Sequence, residues 1–179
     1  DGDLGPQAFG WRIDFHHEGH PHPAMPETTG IQSGTFDIPS RGEVSAEVWF
    51  RVHLSVTDSD GLRHATFADV LPNTAAMTFG TEPAGLEILL DSMPRASPVA
   101  VTGVTGMIRS IGAVSPQIAG GKTYSFDFWS HGGQATHEIS TPALDTTYVA
   151  TFREIPAGED LVVVSWGGDY VTYDNNLTG

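Results

Sequence analysis

Four of the eight histidines fall within seven positions of one short stretch, "DFHHEGHPHP" at 14–23. Neutral imidazole is the commonest ligand of transition metals because it keeps a nitrogen lone pair near pH 7. A zinc or copper site needs three or four such donors about 2.0–2.2 Å from the ion. The stretch therefore predicts a zinc or copper site. The candidate ligands are His16, His17, His20, His22 and His53, with Asp14 and Glu18 as further ligands or as carboxylates that orient the imidazoles.

This site depends on how the chain folds around the histidines. His16 is expected at the end of a strand, and the following histidines in a loop stiffened by Pro21 and Pro23. His53 falls in another predicted strand, from which it could approach His16 at about 5 Å between Cβ atoms. The prolines exclude the helical His-Glu-x-x-His motif of zinc proteases. Two alternatives remain: a polar loop without an ion, and imidazoles that contact a glycan directly.

Closely spaced aspartates suggest a second kind of cation site. "DGDLG" at 1–5 and "TDSDGL" at 57–62 both place carboxylates two positions apart. Calcium takes six to eight oxygen ligands, so Asp1, Asp3, Asp58 and Asp60 could bind calcium if the two loops meet. The alternative is an ordinary turn in which aspartate side chains bond to the nearby backbone.

Aromatic side chains could bind carbohydrate by stacking against sugar rings. The candidates are Trp49, on the polar face of its strand, Trp129, Trp166 and Tyr170. For each of them the alternative is a structural role, covering a sheet edge or a seam between domains.

Strict alternation of apolar and polar residues predicts the strands that must position these groups. In "VWFRVHLSV" at 48–56 the apolar residues occupy every second position, which is typical of a half-buried strand. "WRIDFHH", "SGTFDIP" and "LRHATFADVLP" complete a first set, and seven further strand-like segments follow from position 74 at a spacing of about ten residues. We therefore predict an all-β fold of two small antiparallel β-sandwich domains in tandem, at 1–73 and 74–153. Residues 154–179 are predicted to be a linker and an extra strand.

Composition excludes several classes of function. The formal net charge of −14 disfavours nucleic acid and anionic membranes as partners, and no apolar run is long enough for membrane insertion. The absence of cysteine excludes disulfides and thiolate metal sites. No Gly-x-Ser-x-Gly nucleophile motif and no phosphate-binding loop are present, so no organic cofactor is expected.

The two halves resemble known modules. "DGDLG" at 1–5, "WRIDFHHEGHPHP" at 11–23 and "VWFRVHLSVTDSDGLRH" at 48–64 resemble a PKD-like (immunoglobulin-like) module of secreted bacterial proteins. "TFGTEPAGLEILLD" at 78–91, "GAVSPQ" at 112–117 and "YSFDFWSHGGQATHEISTPALDTTYVATF" at 124–152 are similar to the small all-β repeat that follows it. The pair resembles the region after the catalytic domain of secreted sugar dehydrogenase-like proteins that use pyrroloquinoline quinone. The first two strands of a PKD-like module are missing before Asp1, so either an upstream part has been lost or another segment, such as "LVVVSWG" at 161–167, takes their place.

The resemblance implies an accessory fragment of a secreted or cell-surface protein, with polysaccharide or neighbouring domains of the same protein as partners. We expect a non-catalytic module that contains calcium, zinc or copper as a structural part. The alternatives are a metal-dependent enzyme or metal-binding protein built on His16–His22, and a purely structural spacer. An enzyme would require an open coordination position in a cleft, whereas a structural metal site would be closed.

Overall fold

The computed structural model describes residues 4–156 in full, and the backbone alone at 161–166 and 169–174. The described residues form strands and connecting turns, with a single 3-10 turn at Pro6–Ala8 and no α-helix. The strands are β1 Phe9–His17, β2 His20–Thr29, β3 Val48–Thr57, β4 Arg63–Val70, β5 Thr74–Glu82, β6 Glu87–Leu90, β7 Met93–Ala96, β8 Val99–Val104, β9 Ile108–Ala113, β10 Gln117–Ala119, β11 Lys122–Trp129, β12 Thr136–Ser140, β13 Thr146–Ile155, β14 Leu161–Trp166 and β15 Asp169–Asp174. The predicted all-β class is confirmed.

The strands belong to four sheets with the orders β2-β1-β3-β4, β10-β11-β13-β5-β8, β12-β9-β6-β7 and β14-β15. The chain divides into two compact units. The first contains Asp1–Met77, Val101–Ile108 and Ser140–Thr146, and the second contains Thr78–Ala100, Arg109–Ile139 and Thr147–Gly179. Within the described segments, no helix has the length and hydropathy needed to cross a membrane.

In the first unit, the sheet β2-β1-β3-β4 separates the side chains of β1 into two sets. Ile13 and Phe15 lie opposite Val52 and Phe50 of β3, on the apolar face. The aromatic rings of Phe15 and Phe50 are 5.0 Å apart, and Phe36 packs edge-on against Phe50 at 5.3 Å. Because successive side chains of a strand point to opposite faces, the even-numbered residues of β1 occupy the other side of the sheet.

The second unit has a more fully buried core. Phe79 and Tyr148 stack with ring centroids 5.2 Å apart, and Ile88 and Ile111 are completely buried. Trp129 is 1% exposed, and its indole Nε1 donates a hydrogen bond to the Ala135 carbonyl at 3.1 Å. These apolar contacts are the main source of stability for the unit.

Two sequence-based predictions of local structure in the first unit are wrong. The stretch after Gly19 was expected to be a loop, but it forms the strand β2, with Pro21 and Pro23 opposite His16 and Asp14 of β1. The prolines are tolerated because β2 is an edge strand, where a missing backbone N–H interrupts no ladder on the outer side. Residues 33–39, "SGTFDIP", were expected to form a strand and have irregular structure instead.

Candidate metal-binding site

A tight turn at the tip of the β1–β2 hairpin brings three histidines together. His17 ends β1, His20 begins β2, and the two residues are direct partners across the hairpin. The connection consists of Glu18 and Gly19, both with positive φ (46° and 79°), as in the type I′ turns that match the twist of paired strands. His22 lies two residues beyond His20, and therefore on the same face of β2.

The three imidazoles are in mutual contact. Ring centroids are 4.6 Å apart for His17 and His20, 4.9 Å for His17 and His22, and 4.8 Å for His20 and His22. One nitrogen from each ring lies within 4.8 Å of the others. Donors that share a tetrahedral zinc ion at 2.0–2.1 Å are about 3.3 Å apart, so modest side-chain rotations would allow all three to coordinate one ion. In the described part of the chain this is the one group of three or more such donors.

The three imidazoles of the cluster differ in their surroundings. His17 is partly buried and stacks against Phe15 at 5.2 Å, whereas His20 and His22 are exposed. His20 Nδ1 lies 3.4 Å from the Glu18 carbonyl oxygen, which orients this ring. The cluster thus combines one imidazole fixed by packing with two accessible ones. None of the three imidazoles carries a negative charge that could compensate the positive charge of an ion.

Glu43 is a neighbour that the sequence pattern did not reveal. Its Oε2 lies 3.9 Å from Nδ1 of His17, and Oε1 accepts a hydrogen bond from the backbone N–H of Ser45 at 2.8 Å. Glu43 belongs to the irregular segment between β2 and β3, more than twenty residues after the histidines. No spacing rule connects the two, so only the folded chain brings them together.

Three of the other predicted ligands, His16, His53 and Asp14, lie on the opposite face of the sheet. Glu18 lies in the turn and is not one of the donors that meet within 4.8 Å. His53 is the partner of Arg12, not of His16, and its Nε2 is 3.0 Å from Oδ2 of Asp14. Arg12 also contacts this carboxylate oxygen, at 3.0 Å. His16 instead stacks against Trp49, with ring centroids 4.7 Å apart. The expected joint site of His16, His53 and Asp14 with the other histidines is therefore not formed.

The same polar face is held together by ion pairs. Arg51 donates two hydrogen bonds to Asp69, at 2.7 and 2.8 Å, and its guanidinium lies 4.1 Å from the centre of the Phe67 ring. These hydrogen bonds lower the pKa of Asp69 and raise that of Arg51. The charged side chains Arg12, Asp14, Arg51 and Asp69 of this face are thus paired, whereas Nε2 of His16 and Nε1 of Trp49 are buried without a hydrogen-bond partner.

The aspartates that were candidates for calcium divide between described and undescribed parts of the chain. Asp58 Oδ1 accepts hydrogen bonds from the backbone N–H groups of Asp60 and Leu62, at 3.0 and 2.8 Å. This is the turn arrangement that was the alternative to calcium. Asp1 and Asp3 lie outside the described residues.

The aromatic residues proposed for carbohydrate binding have different outcomes. Trp129 is buried, because β11 has a bulge between Phe126 and Phe128 that turns the indole inward and leaves Phe128 exposed. Trp49 is half-buried under His16. The side chains of Trp166 and Tyr170 lie outside the described part of the structure, although their backbones belong to β14 and β15. Trp129 therefore does not offer an exposed ring against which a sugar could stack.

Comparisons with known proteins gave no match to a family model, to a curated protein or to a solved structure. The PKD-like resemblance of the sequence accordingly stays a prediction, and the function has to be argued from the site.

Proposed function

We propose that this chain is an accessory β-module that binds one zinc or copper ion through His17, His20 and His22. The observation that supports the proposal is the convergence of three imidazole nitrogens within 4.8 Å at the tip of one hairpin. The two-residue turn of this β-hairpin fixes the adjoining ends of β1 and β2, so the three histidines are brought close together before an ion arrives. The bound ion would link the last residue of β1, His17, to His20 and His22 of β2.

In this proposal the role of the ion is structural. An ion that binds only the folded chain stabilises it by RT ln(1 + [L]/Kd), which is about 4 kcal/mol at a thousandfold excess over Kd. We further propose that the sheets of the second unit pack as a small sandwich, which the alternation of buried residues along β5 and β13 supports. The tandem arrangement of two immunoglobulin-like sandwiches stays a prediction from the sequence. Polysaccharide binding, the positioning of a neighbouring domain, a spacer role and secretion remain predictions from the sequence.

Zinc titration by calorimetry tests the proposal, using protein purified without a nickel column and freed of metal by chelation. We expect one zinc per chain, and a loss of affinity of about 100-fold or more in His20→Ala and His22→Ala. Both residues are exposed, so the variants should fold. His64→Ala is the matched control, because His64 is an exposed strand histidine outside the cluster. Wild-type protein that binds zinc no better than His20→Ala would contradict the proposal.

A further inference from the structure

The two ring nitrogens of His17 have different surroundings. Nδ1 is buried and has no hydrogen-bond partner, although a buried polar atom normally has one. The carboxylate of Glu43 is close to it, with Oε2 3.9 Å away. The separation exceeds the length of a hydrogen bond, so no hydrogen bond joins the two atoms in this structure.

Glu43 is itself fixed by the backbone. Oε1 accepts the Ser45 N–H at 2.8 Å, and Ser45 forms an isolated β-bridge with Gly103. With one carboxylate oxygen held in this way, the other is directed towards His17. The side chains are 29% exposed for Glu43 and 19% for His17, so a hydrogen bond between them would be partly shielded from water.

We infer that Glu43 is the positioning residue of the three-histidine site, an inference that rests on the proposed function. Glu43 accepts the Nδ1 proton of His17, which fixes the tautomer and leaves the Nε2 lone pair for the ion. The carboxylate lies outside the group of donors that meet within 4.8 Å, so it acts through His17 and not as a ligand.

This role explains how a site made of neutral donors compensates the charge of the ion. A carboxylate that bonds to a ligating imidazole raises its basicity, and removal of such a partner typically lowers metal affinity 10- to 100-fold. It also gives the irregular segment between β2 and β3 a function. The segment brings an acidic side chain to within 3.9 Å of the partly buried His17.

Zinc titration of Glu43→Gln, which removes the charge and keeps the shape, is the first measurement. We expect one zinc per chain with affinity reduced 10- to 100-fold. Glu47→Gln is the matched control, because Glu47 is an exposed glutamate of the same segment and the substitution changes net charge equally. Glu43→Asp should recover part of the affinity. Equal affinities of Glu43→Gln and Glu47→Gln would overturn the inference while leaving the proposed function intact.

A double-mutant cycle separates positioning from a general effect of charge or stability. In a His17→Gln background, with the remaining affinity supplied by His20 and His22, Glu43→Gln should have no further effect. The same loss of affinity in both backgrounds would overturn the inference, because Glu43 would then act independently of His17. If the wild-type protein binds no zinc, the proposed function fails first and the role of Glu43 fails with it.

Discussion

His131 and His137 place their Nε2 atoms 2.8 Å apart in the second unit, where the connection after β11 leads into β12. His137 Nδ1 lies 2.7 Å from the carbonyl oxygen of Gln134 and donates its proton there, which leaves His137 Nε2 as an acceptor for the N–H of His131. His131 also packs against the edge of the Tyr148 ring at 4.8 Å. Burial, and to a smaller extent the neighbouring His137, lower the pKa of His131.

This relationship predicts a loss of stability in acid. Since the pKa of His131 is lower in the folded chain than in the unfolded one, the unfolded chain binds more protons between the two values. The contribution of His131 to the free energy of unfolding is therefore complete above the pKa of a histidine in the unfolded chain, about 6.5, and decreases as the pH falls below that value. Chemical denaturation gives the free energy of unfolding at pH 8 and at pH 5.5. The decrease between these two pH values should be smaller for His131→Phe than for the wild type.

His64→Gln serves as the control for this experiment, because His64 is exposed on β4. It should lose as much stability as the wild type between the two pH values. If the free energy of unfolding of His131→Phe decreases as much as that of the wild type, other groups cause the acid sensitivity.

Two substitutions in the turn at Glu18 and Gly19 should differ in their effect on zinc binding. Gly19→Ala forces a side chain into a left-handed conformation and should cost about 1 kcal/mol of stability, with weaker zinc binding because His17 and His20 lose their register. Glu18→Asn favours the same turn and should leave zinc affinity unchanged, which also tests Glu18 as a predicted ligand. Thermal melting and zinc calorimetry of both variants would check this. Weaker zinc binding by Glu18→Asn would restore Glu18 to the ligand set.

The Asp58 turn should not require calcium. Asp58→Ala removes the acceptor of two backbone N–H groups and should cost about 1 kcal/mol, whereas Asp60→Ala should cost much less. Because the hydrogen bonds are local, the difference should be the same in calcium and in a calcium chelator. Denaturant unfolding under both conditions measures it. A loss for Asp58→Ala seen only in calcium would identify Asp58 as a ligand.

Alternation predicted most of the fold. Buried residues recur at every second position along β5 and along most of β13, and the apolar residues Ile13 and Phe15 of β1 lie opposite Val52 and Phe50 of β3. It failed for β2, whose prolines are acceptable only at the edge of a sheet, a position that the sequence does not reveal. It also failed at 33–39, where Phe36 is anchored by packing on Phe50 without a partner strand. Edge position and loop packing both depend on the rest of the fold.

The candidate site was predicted in part. The sequence identified His17, His20 and His22 by their density, and the structure brings them together. The period of two already implied that His16 lies on the opposite face from His17, so a joint site was inconsistent with the predicted strand. Glu43 gave no signal, because its position depends on the irregular course of the chain between β2 and β3.

The buried ion pair of the second unit provides a final test of the structure. Arg109 is 6% exposed, and its guanidinium contacts Oδ2 of Asp91 at 2.5 Å from Nη2 and 3.1 Å from Nε. Asp91 has φ of 51°, a left-handed conformation that asparagine also adopts readily. Asp91→Asn therefore keeps the turn and removes only the charge.

The uncompensated Arg109 charge should then destabilise the fold by about 2 kcal/mol, less than for a fully buried pair because Asp91 is partly exposed. Replacing both residues, Asp91→Asn with Arg109→Met, removes the buried charge as well and should recover part of the loss. Urea denaturation of the two variants and the wild type gives the comparison. A double variant less stable than Asp91→Asn alone would show that Arg109 stabilises the unit through packing of its side chain, and not through its charge.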